Sequence, residues 1–77
     1  MTNPIMRWFD TAHVNPKHGP RYEIARHFQD IAESVDLLLE NGPEKSTALR
    51  KLLESKDAAV RQVILDEEVR EEAAKFE

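Results

Sequence analysis

The sequence predicts an all-α fold: an antiparallel two-helix hairpin with an N-terminal arm or short helix, assembled into a homo-oligomer. Three observations carry that expectation. Apolar residues recur at alternating spacings of four and three, each such run is headed by a proline, and Asn41-Gly42-Pro43 leaves only a short connection between the two runs.

The elements follow in order. Residues 1–19 are punctuated by Pro4, Pro16 and Gly19 and hold no sustained period, so they form an arm in which residues 5–12 have room for a turn or two of helix. Proline is favoured in a first helical turn, where its missing N–H costs nothing, so a helix is expected to start at Gly19-Pro20. Its apolar positions are Ile24, Phe28, Ile31, Val35 and Leu38, widened by Ala25, Ala32 and Leu39. Asn41-Gly42-Pro43 should end it, with Gly42 as a left-handed cap and Pro43 barring continuation. The second helix then runs from 43 to at least 66, with Glu44 placed favourably against the positive end of its dipole. Its apolar positions are Ala48, Leu49, Leu52, Leu53, Ala59, Val60, Val63 and Ile64. Three units result: an arm at 1–19, a hairpin at 20–66 and an acidic helical extension at 67–77. The final turns have no partner in the hairpin, although Val69, Ala73 and Phe76 keep a helical spacing that suits packing on another protomer.

The chain has 77 residues, no cysteine, 34% charged and 6% aromatic residues. A core below roughly 80 residues rarely contributes more than about 3–5 kcal/mol, and oligomerisation is a usual remedy. Disulfides and cysteine zinc sites are excluded. The longest apolar runs, such as Leu37-Leu38-Leu39, fall far short of a membrane span, and Arg7 and Asp10 flank Trp8-Phe9 where a signal peptide would be apolar. A soluble intracellular protein is expected.

The net charge of −4 is unevenly spread. Residues 1–27 carry Arg7, Lys17, Arg21 and Arg26 against Asp10 and Glu23, together with His13, His18 and His27, whereas the chain turns acidic beyond them. Duplex nucleic acid is therefore a poor partner, since gripping it takes many phosphate contacts. A small anionic ligand needs only two or three placed cations.

Catalysis is not expected. The histidines lack metal-ligand spacing, the serines Ser34, Ser46 and Ser55 lie on helices without a glycine elbow, and a single glycine before proline makes no phosphate loop. No cofactor or metal is called for, and Asp66-Glu67-Glu68 with Glu71-Glu72 reads as a solvated face. Ion pairs at i, i+4 are expected for Asp57 with Arg61 and Glu71 with Lys75.

The cluster Arg21, Tyr22, Arg26 is more informative, with Lys17 and His18 just upstream. Tyr22 and Arg26 stand one turn apart, an arrangement that can stack a base and hold its phosphate; the plainer alternative is that Tyr22 extends the core and Arg26 pairs with Asp30. Trp8 and Phe9, large aromatics in a non-periodic arm, must be covered by the hairpin of the same chain or by a neighbouring protomer.

Two stretches carry a family resemblance: Arg21-Tyr22-Glu23-Ile24-Ala25-Arg26, and Glu44-Lys45-Ser46-Thr47-Ala48-Leu49-Arg50-Lys51-Leu52-Leu53-Glu54-Ser55 beyond the Asn41-Gly42-Pro43 turn. Over about residues 20–65 the chain resembles the helical hairpin of small phage proteins, the anti-CBASS cyclic-nucleotide sponges, which is shared with the Thoeris anti-defence sponges. The resemblance implies a non-enzymatic hexamer in the cytoplasm of an infected bacterial host. Such a protein sequesters cyclic oligonucleotide second messengers between protomers without cleaving them. It implies that Arg26 is the basic residue that meets the ligand and that Trp8 or Phe9 is the arm aromatic that contacts it; on the chain's own residues, Arg21 or Lys17 then supports Arg26 at the phosphates and Tyr22 is a further ring to stack on bases. The chain departs from that pattern at Ala58-Ala59-Val60 and at Ile64-Leu65-Asp66, where an acid stands in place of a cation; Arg61 is the nearby cation able to substitute in a trinucleotide pocket. The rival expectations are an oligomeric hairpin adaptor that binds a protein partner through Trp8, Phe9 or the acidic tail, and a small DNA-binding module using the basic arm.

Overall fold

The computed structural model describes residues 3–12, 14–15, 17 and 19–75. His13, His18 and Phe76 of the sequence reading lie outside the described residues. Among the described residues the fold is all-helical: a 3-10 helix at Pro4–Phe9, α1 at Pro20–Leu38 and α2 at Pro43–Ala74. α1 and α2 pack together as a hairpin, and the 3-10 helix lies across both.

Each start has a local cause. Asn3 caps the 3-10 helix, its side-chain oxygen accepting from the Ile5 N–H at 3.1 Å, and Pro4 fills the first position. Pro20 and Pro43 open the long helices as expected. Gly19, just before α1, is the left-handed glycine of the fold, at φ 57°.

The left-handed cap expected at Gly42 is not there. Gly42 sits at φ 177°, an extended conformation open to any residue. α1 instead stops at Leu38, its chain leaves through an extended Leu39, and the orphaned carbonyls are taken by a side chain from α2. Lys45, 6% exposed, donates to the carbonyl oxygens of Asp36 and Leu39 at 2.8 and 2.9 Å and to Asn41 Oδ1 at 3.2 Å. Its ammonium also lies 3.2 Å from the Asp36 carboxylate. A cation here satisfies the last carbonyls and meets the negative end of the α1 dipole.

The core is centred on Phe9, Ala32 and Leu49, all fully buried, with Ile5, Met6, Phe28, Val35, Leu52 and Leu53 packed around them. Phe9 thus staples the arm onto the crossing of the two helices of its own chain. Thr11 adds a hydrogen bond to Gln29 Oε1 at 2.7 Å, and the Asn3 N–H donates to Asp36 Oδ1 at 3.3 Å. On α1 the buried face is turned from the expected stripe toward Ala25 and Ala32. Phe28 and Val35 stay half-buried, while Ile31 and Leu38 face outward.

α2 continues without a break past residue 66, and beyond Glu67 every described residue is exposed, including Val69 and Ala73. Among the described residues no helix is long and apolar enough to cross a membrane.

Candidate ligand-binding cleft

The inward seam of α2 contains three charged residues, at Lys45, Lys56 and Glu67, among Leu49, Leu52, Val60 and Val63. Each makes a different tie. Lys45 closes the turn end; Lys56 donates to the Trp8 carbonyl and stands 5.9 Å above the Phe9 ring centre; Glu67 accepts from Arg21 Nη2 at 2.6 Å and from Nε at 3.0 Å. The seam is apolar enough to pack and charged enough to fix where the arm and the start of α1 lie.

Between the second and third ties a cleft of about 480 Å³ opens, within the range typical of small-molecule sites. Ala25, Val60, Ile64 and Val14 form its apolar walls, and Arg21, Lys56 and Arg61 bring three cations to it, with Asp57 as the acid. Arg21 is already committed to Glu67 and Lys56 to Trp8. Arg61 is exposed and makes no hydrogen bond or ion pair among the described residues, because the expected Asp57–Arg61 pair does not form; Glu71–Lys75 does not form either. An anion entering the cleft therefore meets one uncommitted guanidinium and two cations whose partners it can share.

The remaining candidates are dispersed. Arg26 points away from α2, 56% exposed, with Asp30 at 3.4 Å as the plainer alternative required. Hydrogen bonding to Tyr22, and then the charge of Asp30, push its pKa further above the ordinary arginine value, so it is a permanent cation. Tyr22 is half-buried beside it. Trp8 is 55% exposed, carries Arg7 4.9 Å above its ring, and borders a second hollow with Leu53, Lys56 and Asp57. Phe9 is fully enclosed in the core and has no face left for a ligand. Lys17 is exposed in the arm, its N–H donating to Asn15 Oδ1 at 2.9 Å, and does not line the cleft. Within one chain, then, Arg21 and Arg61 meet, Tyr22 and Arg26 form a separate outward pair, and Trp8 stands on a third surface.

Lys56 belongs to the cleft and was not anticipated. The signal was a lysine seven residues after Leu49 in an otherwise apolar seam, a position where a solvated side chain is out of place. Among the described residues no cluster of three or more His, Asp or Glu side chains could hold a metal. No family model, curated protein or solved structure matches this chain.

Proposed function

We propose that this chain is a non-enzymatic sponge for cyclic oligonucleotides, binding cyclic dinucleotides, and cyclic trinucleotides as a second class, at the junctions between protomers of a homo-oligomer. The observation that carries the reading is the cleft in which Arg21, Lys56 and the unpaired Arg61 converge over apolar walls. Phosphates meet Arg21 and Arg61, an apolar wall receives the base, and the outward pair Tyr22–Arg26 of a neighbouring protomer, or its Trp8, covers what one chain leaves open. The resemblance of residues 20–65 to the phage sponge hairpin supports the same reading, under which the chain acts in the cytoplasm of an infected bacterium. Nothing in this scheme breaks a bond: sequestration needs only affinity.

Calorimetry with a panel of cyclic di- and trinucleotides tests it. The expected result is saturable binding, weakened at least about tenfold by Arg61→Ala, the loss of one charge-assisted contact. Chromatography should recover the nucleotide intact. Absence of heat across the panel at tens of micromolar overturns the proposal.

A second reading, an adaptor for a protein partner, is favoured by the exposure of Trp8 and of Leu37, the latter 85% exposed. It predicts that Arg61→Ala leaves partner capture unchanged.

A further inference from the structure

Arg21 reaches the cleft with a carboxylate already on it. Its Nη2 and Nε both donate to one oxygen, Glu67 Oε2, at 2.6 and 3.0 Å, while Nη1 makes no hydrogen bond among the described residues. Glu67 is not part of the cleft wall: it stands on α2 one turn beyond Ile64, the last residue of that helix to line the space. The two side chains are 35% and 25% exposed, so the tie opens toward water without stranding a charge in the core. A phosphate grips a guanidinium through the same N–H groups that a carboxylate uses, so Glu67 holds the place a phosphate would take on Arg21.

The charges around the cleft give this contact a consequence. Arg21, Lys56 and Arg61 face Asp57 on the wall and Glu67 just beyond it, which leaves one positive charge in excess. One phosphate balances that excess at the unpaired Arg61. A second phosphate meets Arg21 only by displacing Glu67 or by sharing the guanidinium with it, in both cases against a negative charge. A separate anion must do so from bulk solution. The second phosphate of a cyclic dinucleotide is instead held near Arg21 by the first, at a raised effective concentration.

We infer that Glu67 sets which anions reach Arg21: it keeps ligands with a single phosphate off this cation and yields to the second phosphate of a cyclic dinucleotide, whose affinity it lowers in the exchange. The inference rests on the reading of the cleft as a cyclic-nucleotide site. A tie that only fixed the start of α1 against α2 would have no such effect on ligands. Glu67→Gln separates the two roles, because the amide keeps an oxygen for Arg21 and loses the charge.

The test compares the unmodified chain, Glu67→Gln and, as a control for net charge, Glu68→Gln, whose carboxylate is exposed on the next residue and makes no ion pair among the described residues. Calorimetry with cyclic di-GMP and cyclic di-AMP should show binding at least about fivefold tighter in Glu67→Gln, the worth of one partly solvated ion pair, and little changed in Glu68→Gln. NMR of the arginine Nε–H groups supplies the second readout. Cyclic GMP should move the Arg61 signal alone in the unmodified chain and in Glu68→Gln, but the Arg21 signal as well in Glu67→Gln. A gain in dinucleotide affinity that is absent, or equal in the two variants, overturns the inference and leaves the sponge reading standing, since the ligand still binds. Cyclic GMP moving the Arg21 signal of the unmodified chain overturns it equally. Neither dinucleotide binding any of the three chains overturns the inference and counts against the sponge reading with it.

Discussion

The two ends of the hairpin are made from the same pair of helices and do different work. At the turn end Phe9, Ala32 and Leu49 are sealed, and Lys45 uses its ammonium to finish α1. At the open end the seam residues Val60, Val63 and Ile64 are only half-buried, Arg21–Glu67 is partly solvated, and α2 runs on alone. One end concentrates burial, while the other spends its surface on a cation-lined cleft. The contrast teaches that a 77-residue chain can leave one end unfinished because the arm thickens the other.

The largest expected effect compares matched truncations. Leu49→Ala should cost about 3 kcal/mol, whereas Ile64→Ala, losing half-buried surface, should cost about 1 kcal/mol. Urea titration followed by circular dichroism measures both, and equal costs would abolish the distinction between the ends. Next comes Lys45→Met, which leaves the α1 carbonyls and Asp36 without their cation and should cost about 2 kcal/mol by the same titration.

These contrasts also mark how far the sequence could be read. Helix starts were legible because Pro20 and Pro43 act through their own backbone geometry. The ending of α1 was not: Gly42 advertised a local cap, but the cap came from Lys45, a contact between helices that no period reveals. The apolar stripe was legible as a set and misread in rotation, since alanines at 25 and 32 count little in a hydrophobic pattern yet are the buried residues of α1. In the site, Arg21 and Arg61 lie forty positions apart and were each suspected separately; only the hairpin register puts them on one cleft. Phe9 and Trp8 are neighbours in sequence, but the 3-10 helix sends one into the core and leaves the other exposed. That divergence depends on the turn of a six-residue helix, which proline and asparagine begin but whose facing they do not specify.

A smaller effect separates the two glycines. Gly19→Ala forces a side chain into positive φ and should cost about 1–2 kcal/mol, while Gly42→Ala, in extended backbone with open space around it, should be neutral or stabilise by about 0.5 kcal/mol. Thermal melts of the pair suffice, and a reversed order would mean that the turn is built otherwise.

The gentlest probe is acid. Burial alone would raise the Asp36 carboxyl, but hydrogen bonds from Lys45 and the Asn3 N–H, with the charge of Lys45, bring it below the ordinary aspartate value. Its folded form therefore contributes stability that is fully present above the unfolded pKa of about 3.9 and is lost as pH falls through the lower folded value. Stability measured between neutral pH and pH 3 should fall less steeply in Asp36→Asn than in the unmodified chain; identical slopes would show that the turn-end latch does not sense protonation.

The account joins an open, cationic end to assembly from identical copies, and the mass of the native assembly tests both at once. Native mass spectrometry with a mixture of cyclic di- and trinucleotides should show an oligomer carrying intact cyclic nucleotide, with Arg61→Ala keeping the oligomer and losing the ligand. A monomer that carries no nucleotide under the same conditions would contradict it.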